Sequence, residues 1–343
     1  MIQHLRANLW LLVLSILLCC VIYPVILLVV GQTLFHDKAQ GSLLTDASGK
    51  VIGSRLIAQP FTSDEDFQPR PSTASYNGAA SGASNWGASN YLLLDRVARV
   101  LGPIVKYSSG SKKGELAAAD IETWFQKDQF GGKPGIVAQW ADAHNGLAQA
   151  WVGATFDAKN PTPQQQYVLD WEKSHPDLVA KFKADNPDNQ DPAPSDLAVV
   201  FFGTFSKENP GKFLSAVTKT GADGKSTTTI EPLKEGSDIQ SIFFDMWLGE
   251  HPDVELQQVP ADMVMSSGSG LDPDITLDNA LWQLDRVAGA WAKKTSKDES
   301  QVHQDIEKLL RDNTTAPLGG TVGVPLVNVL ETNLALRARY GEK

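Results

Sequence analysis

The longest pattern in the chain is apolar. From Leu9 to Val30 no residue is charged. In a helix about 22 residues rise roughly 33 Å, enough to cross the hydrocarbon core of a bilayer. The pattern predicts a transmembrane helix over 9–30 and a short cytoplasmic terminus over 1–8. A secretory signal has a shorter apolar region followed by small-x-small cleavage residues. Here Gly31-Gln32-Thr33 follows, and Cys19 comes after Leu17-Leu18 rather than the small residue that lipoprotein processing requires. The segment therefore reads as an uncleaved anchor. Pro24, after Tyr23, interrupts it. A proline removes one helical hydrogen bond and tends to kink the helix, which membranes tolerate when a neighbour re-satisfies the freed carbonyl. The plain reading is a tolerated irregularity; the sharper one is a surface shaped for packing on another membrane protein. With no Asp, Glu, Lys or Arg inside it, this helix offers no ion pathway of its own.

Beyond the anchor, Gly41–Phe61 reads as short strands and turns. Asp46-Ala47-Ser48-Gly49 is a turn signal, with Val51-Ile52-Gly53 and Leu56-Ile57 as β-branched or apolar flanks. Two stretches then break every periodicity. Arg70–Asn90 and Ser266–Ile275 are dense in Gly, Ser, Asn and Pro, so neither reads as a helix or a buried strand. Both are flanked by amphipathic sequence, and the first contains Tyr76 and Trp86, which suits packed loops that set backbone against backbone. Helical spacing returns at Tyr91–Leu101. Thr162-Pro163-Gln164-Gln165 is a capping box ahead of Tyr167, Val168 and Trp171, and Ser174-His175-Pro176-Asp177 repeats the arrangement before Leu178 and Phe182. Asn186–Ser195 is a polar connector, and Val217–Ile230 predicts a hairpin around Ala222-Asp223-Gly224. Leu277, Ala280, Leu281, Leu284, Val287, Ala288 and Trp291 share one helical face with Thr276 as N-cap. Ser296-Lys297-Asp298-Glu299 is a further capping box, Gly319-Gly320 turns the chain, and Val327–Tyr340 reads as a last helix.

Composition narrows the address. The chain has 343 residues, 42% of them hydrophobic, and a formal net charge of -10. Two folded units are affordable at this length. The acidity argues against nucleic acid, which rewards clustered Lys and Arg. Arg6 and the terminal amine precede the span while Asp37 and Lys38 cancel after it, so the positive-inside bias leaves the bulk of the chain outside. Both cysteines, Cys19 and Cys20, lie in the span, so no disulfide framework is open to the outer part.

The small-residue stretches belong to a wider set of words. Gly41-Ser42-Leu43, Leu56–Phe61 (LIAQPF), Arg70–Asn90, Ser266–Ile275 and Val327–Glu331 (VNVLE) occur in an order that resembles the C subunit of the potassium-transporting P-type ATPase, KdpC. The resemblance covers 1 to about 97 and again from about 259 onward. It implies an α+β fold: a single N-terminal transmembrane helix and a compact extracytoplasmic domain, 31–97 with 259–343, interrupted by a mainly helical insertion over 98–258. It departs from the family pattern at Ala58, Asp274, Leu326 and Arg337, where the family often has glycine, histidine, arginine and aspartate.

Candidate chemistry is sparse. Gly268 and Gly270 lack the following Gly-Lys-Ser/Thr of a phosphate loop, and no Asp-Lys-Thr-Gly occurs. The six histidines are scattered with no His-x-x-x-His, so no metal or other cofactor is expected, and no Ser-His-Asp arrangement suggests itself. Asp272 and Asp274 read as turn-forming aspartates rather than a catalytic pair. The resemblance implies a non-catalytic accessory subunit in a bacterial inner membrane, needed for assembly and stability of a K+-importing P-type ATPase, with ion-translocating and ATP-hydrolysing subunits as partners. Its interface positions would be Tyr23, Pro24, Gly31, Arg70, Asn85, Asn90, Gly268 and Gly270. The family's suggested help with ATP binding would fall on Gln59, but the topology places Gln59 outside, so it reads as a loop or interface residue. The alternative is a stand-alone anchored protein whose inserted domain is an enzyme or a carbohydrate-binding module, with Trp124, Trp140, Trp151, Trp171 and Trp247 as a sugar platform. Against it, these tryptophans fall on helical apolar faces, as core residues do.

Overall fold

Ile2–Leu34 form one continuous helix of 33 residues in the computed structural model, which describes residues 2–45, 49–128, 135–220 and 226–341. Helix α1 (Ile2–Ile16) passes through a π-helical turn (Leu17–Ile22) into α2 (Tyr23–Leu34), and none of these residues is buried. The helix is long and apolar enough to span a membrane. Pro24 explains the irregular turn. Its ring crowds the carbonyl four residues earlier, at Cys20, and the chain widens there, with the Tyr23 N–H bonded to the Leu18 carbonyl. A short α3 (His36–Ala39) follows, then an antiparallel hairpin of β1 (Leu43–Thr45) and β2 (Val51–Ser54) that pairs Leu43 with Ser54 and Leu44 with Gly53. Of the expected turn, 46–48 lie outside the described residues. Leu56 and Ile57, expected to flank a strand, lie in a turn closed by Ile57 N–H on Ser54 O, and the partner of β2 is Leu43–Thr45 instead.

Trp86–Val259 is a compact unit of its own. Asn90 caps α4 (Tyr91–Ile104) through a hydrogen bond from Leu92 N–H, so the helix starts where its spacing predicted. There follow α5 (Ala118–Gln126), α6 (Ile136–Ala143), α7 (Asn145–Val152), α8 (Pro163–Ser174), α9 (Pro176–Asp185) and α10 (Ala198–Glu208). The hairpin β3 (Phe213–Thr220) with β4 (Ser226–Leu233) comes next, then α11 (Ser237–Ile242) and α12 (Phe244–Glu250). The turn expected at 222–224 lies outside the described residues. The Thr162–Gln165 capping box forms as read, with both reciprocal bonds present. The Ser174 box does not: Ser174 ends α8 and donates to Trp171 O at 2.8 Å, leaving His175 as the cap of α9 without a side-chain bond. Trp140 anchors the larger of two cores, edge-on to Phe202, Phe213 and Phe243 at 5.4–6.0 Å between centroids. Such contacts add about 0.5–1.5 kcal/mol each beyond the area they bury. The smaller core gathers Ala98, Val105, Ala117, Ile121, Phe244 and Trp247.

The other unit joins 1–85 to 260–343. Its second half runs α13 (Ala261–Val264), β5 (Asp274–Thr276), α14 (Leu277–Thr295), α15 (Glu299–Asp312), β6 (Leu326–Asn328) and α16 (Val329–Tyr340). Thr276 caps α14 as expected, accepting from Asn279 N–H at 3.1 Å. Ser296 sits at φ +53° and closes α14, so the cap of α15 is Asp298. Two readings are corrected by one pairing. Asp274-Ile275, read as loop, and Val327-Asn328, read as helix, belong to β5 and β6, which pair antiparallel with Ile275 and Val327 opposite each other and buried. The apolar faces of α14, α15 and α16 close over Phe67, which is fully buried.

Candidate subunit-interaction site

Phe67 belongs to a strap, Ser63–Gln68, with no sheet partner among the described residues. Buried backbone groups must nevertheless find partners. Helices α14 and α16 supply them. Arg286 donates to the carbonyls of Ser63, Asp64 and Asp66, and the Trp291 indole donates to Glu65 at 2.8 Å. The Asn333 amide accepts from Phe67 N–H at 2.8 Å and donates to Phe67 O at 2.9 Å. Gln283 does the same for Gln68, at 2.8 and 3.0 Å. Every carbonyl from Ser63 to Gln68 therefore accepts from a side chain of α14 or α16. The Asp66 carboxylate, buried, receives Arg337 at 2.8 Å. Sequence reading passed over Asn333, Gln283 and Arg286, and the only local signal was polar residues on otherwise apolar helical faces.

The strap delivers the chain to the two small-residue loops, and residues 70–82 meet 265–272 largely through side chains that donate to backbone carbonyls. Gly82 N–H donates to Ser269 O at 2.9 Å, Thr73 Oγ1 to Gly82 O at 2.7 Å, Ser81 Oγ to Ser269 O at 3.1 Å, and Ser72 Oγ to Gly270 O. Gly270 is at φ +67°, and a Cβ there would lie 2.8 Å from Gly82 O, so both backbone and space require glycine. Arg70 ties the loops electrostatically, pairing with Asp272 at 3.3 Å and donating to Ser266 O at 3.5 Å. Its own carbonyl accepts from the Tyr76 hydroxyl at 3.0 Å, and burial pushes that phenol above its ordinary pKa. Downstream, burial raises the Asp274 carboxyl; Asn328 at 2.9 Å opposes the shift, while Asp272 and Glu331 reinforce it.

The expected interface residues are thus dispersed. Arg70 and Gly270 are brought together and serve the loop pair. Gly268 is exposed in the same loop, with open space where a Cβ would stand. Asn85 is exposed at φ +53°, and Asn90 is a helix cap in the other unit. Tyr23 and Pro24 are exposed on the N-terminal helix, and Gly31 lies where a Cβ would touch Ala39 at 3.6 Å. Gln59 donates to Ile52 O at 3.0 Å and lies over Gly53, where a Cβ would collide with its amide. Its side chain thereby holds the β1–β2 hairpin.

A cleft of about 300 Å³ in the Trp86–Val259 unit is lined by Tyr107, Lys112, Asp120, Trp124, Trp247 and His251 among others. Within it Lys112 pairs with Asp120 at 2.6 Å, and the Tyr107 hydroxyl donates to the same carboxylate. Partial burial opposes ionisation of Asp120, yet these two hydrogen bonds prevail and hold its pKa below the ordinary value; burial and Asp120 push Tyr107 well up. Among the described residues no group of three or more His, Cys, Asp or Glu could hold a metal ion. Trp140, Trp171 and Trp247 are buried, and Trp124 and Trp151 pack half-buried against the cores, so the five do not present a platform.

A family model described as K+-transporting ATPase, c chain (KdpC) matches residues 5–123 and 240–338. Residues 124–239 are left outside it. The potassium-transporting ATPase KdpC subunit of Pseudomonas savastanoi pv. phaseolicola is 52% identical over 93 residues, covering 27% of this chain and 49% of that protein. The subunit of the same name from Pseudomonas aeruginosa is 46% identical over 99 residues, 29% of this chain and 54% of the relative. That from Methanosphaerula palustris is 47% identical over 76 residues, 22% and 41% respectively. The chain thus spans about half the length of the first curated relatives it matches, 49% in the first case. With a family model matched over both stretches, across more than half of its residues, the chain belongs to the KdpC family, the c chains of K+-transporting ATPases.

Proposed function

We propose that the chain is a non-catalytic accessory subunit of a K+-importing P-type ATPase, anchored in a bacterial inner membrane by its N-terminal helix, with its terminus cytoplasmic and both folded units outside. It would hold the ion-translocating and ATP-hydrolysing subunits together rather than perform chemistry. The observation that carries this reading is the family match, whose first stretch runs from the apolar helix into the strap and small-residue loops. Tyr23, Pro24 and Gly31 are the contacts we assign within the membrane; Asn85 and Gly268, exposed on the small-residue loops, are those outside it. Help with ATP binding by the catalytic subunit is not part of this assignment, because the Gln59 amide is engaged in its own hairpin. The test is growth at limiting potassium of a host whose potassium-transporting ATPase lacks its c chain. Restored growth is expected; no restoration, with the chain present in the membrane, overturns the reading.

We also propose that residues 124–239 are an inserted element, narrower than the 98–258 expected from the words alone. What supports this is that its two edges adjoin: Gly236 N–H and the Gln240 amide both donate to Glu122, at 2.7 and 2.8 Å, and Gln126 donates to Lys234 O at 2.9 Å. Adjacent ends are what a tolerated insertion needs. The buried residues of the smaller core, from Ala98 to Trp247, all lie in stretches that the family model matches, and Trp124 packs against them from the inserted element.

A further inference from the structure

We infer that the base of the β1–β2 hairpin is a foot on the membrane surface, with Phe35, Leu43 and Leu56 resting in the lipid headgroup layer. The inference rests on the reading of the N-terminal helix as a membrane span. These three side chains are 55%, 45% and 60% exposed, beside Leu34 at 71%. At its base the hairpin sets a leucine on each face: Leu44 is half-buried opposite Gly53, and the exposed Leu43 lies opposite Ser54 on the other. A two-stranded hairpin with a solvated face ordinarily turns polar residues outward, and a group of exposed apolar side chains marks a contact with protein or membrane.

The chain fixes what that is. Gly31–Leu34 extend the helix by about 6 Å beyond Val30, roughly the depth of the headgroup layer. The segment after it is folded back on this last turn, since the Gln40 amide donates to Gln32 Oε1 at 2.9 Å. The hairpin base is bonded onto that segment. Ser42 N–H donates to Asp37 O at 2.8 Å, Ser54 Oγ to Gly41 O at 2.7 Å, and Arg55 pairs with Asp37 at 3.5 Å. The segments that carry Phe35, Leu43 and Leu56 are therefore tied to the end of the apolar helix. Lys38, exposed on α3, adds a cation suited to lipid phosphate, in the mix of apolar and basic side chains that interfacial segments carry.

The test uses the full chain with Cys19→Ser and Cys20→Ser, reconstituted in phosphatidylcholine–phosphatidylglycerol vesicles. Single cysteines at Leu43→Cys, Leu56→Cys, Val25→Cys and Lys308→Cys carry an environment-sensitive fluorophore, and quenchers sit on the lipid headgroup or deep in the acyl chain. Labels at 43 and 56 are expected to lose at least about half their emission to the headgroup quencher, with the exposed Lys308 position unaffected and Val25 answering the deep quencher. Water-like labels at 43 and 56 with a deeply quenched Val25 overturn the foot and leave the span standing. A Val25 label outside reach of the deep quencher removes the span reading and the foot with it. Labels at 43 and 56 that are shielded only after co-reconstitution with the potassium-transporting ATPase subunits assign this face to a protein partner and overturn the lipid contact.

Discussion

Asn333 illustrates how much of this fold hangs on single side chains. It is 1% exposed and meets both backbone groups of Phe67, 266 positions earlier in the chain. Asn333→Ala leaves a buried N–H and a buried carbonyl without partners, each costing about 1–3 kcal/mol. We predict a loss of about 2–4 kcal/mol, read as a lower denaturation midpoint for the full chain in mild detergent. Asp274 carries the opposite sign. Burial raises its folded pKa, so the folded state holds its proton at a pH where the unfolded state has lost it, and stability falls as pH rises from the ordinary aspartate value through the raised one. Asp274→Asn should therefore melt no lower than the parent at pH 8, with the difference shrinking on acidification into that window. A difference between parent and variant that grows on acidification through the same window would contradict this. Caps such as Thr162 and Thr276 were legible because donor and acceptor lie three positions apart. Asn333 and Gln283 were not, since nothing local says which distant backbone an amide will meet.

At the level of elements, the apolar helices were the legible part. The period of 3.6 announced α4 and α14, and 22 uncharged positions announced the N-terminal helix. Three-residue strands have no period to detect, so β5 and β6 emerge only as a pair, with Asp274 facing Asn328 across 54 positions. Ser296 misled because a serine before Asp and Glu looks like a cap, while its left-handed backbone shows it ending the previous helix. The π turn at Leu17–Ile22 is the element with most bearing on the proposed role. Pro24→Ala restores the missing donor, and relaxing the wide turn by one residue rotates the two halves of the helix by about 100° against each other. We predict that the variant still inserts in the membrane but recovers less of the partner subunits in mild detergent. Unchanged recovery would leave Pro24 a tolerated irregularity.

For the whole molecule, the N-terminal helix, the strap and the paired loops make one unit, and the family match runs through it. The words that flagged the family mark backbone contacts, Gly270 above all, so the glycine-rich stretches were legible as packed loops without revealing what they hold. The unmatched residues 124–239 contribute most of the larger aromatic core and have adjoining edges. Replacing them with a short Gly-Ser linker is predicted to leave membrane anchoring and partner recovery intact, measured by co-purification; loss of partners would assign that segment to the complex. The central claim is association. Its most direct test is purification of the tagged full-length chain in mild detergent with identification of what accompanies it. The account predicts a P-type ATPase together with a polytopic potassium-translocating subunit, whereas recovery of the chain alone, from cells that express both, would contradict it.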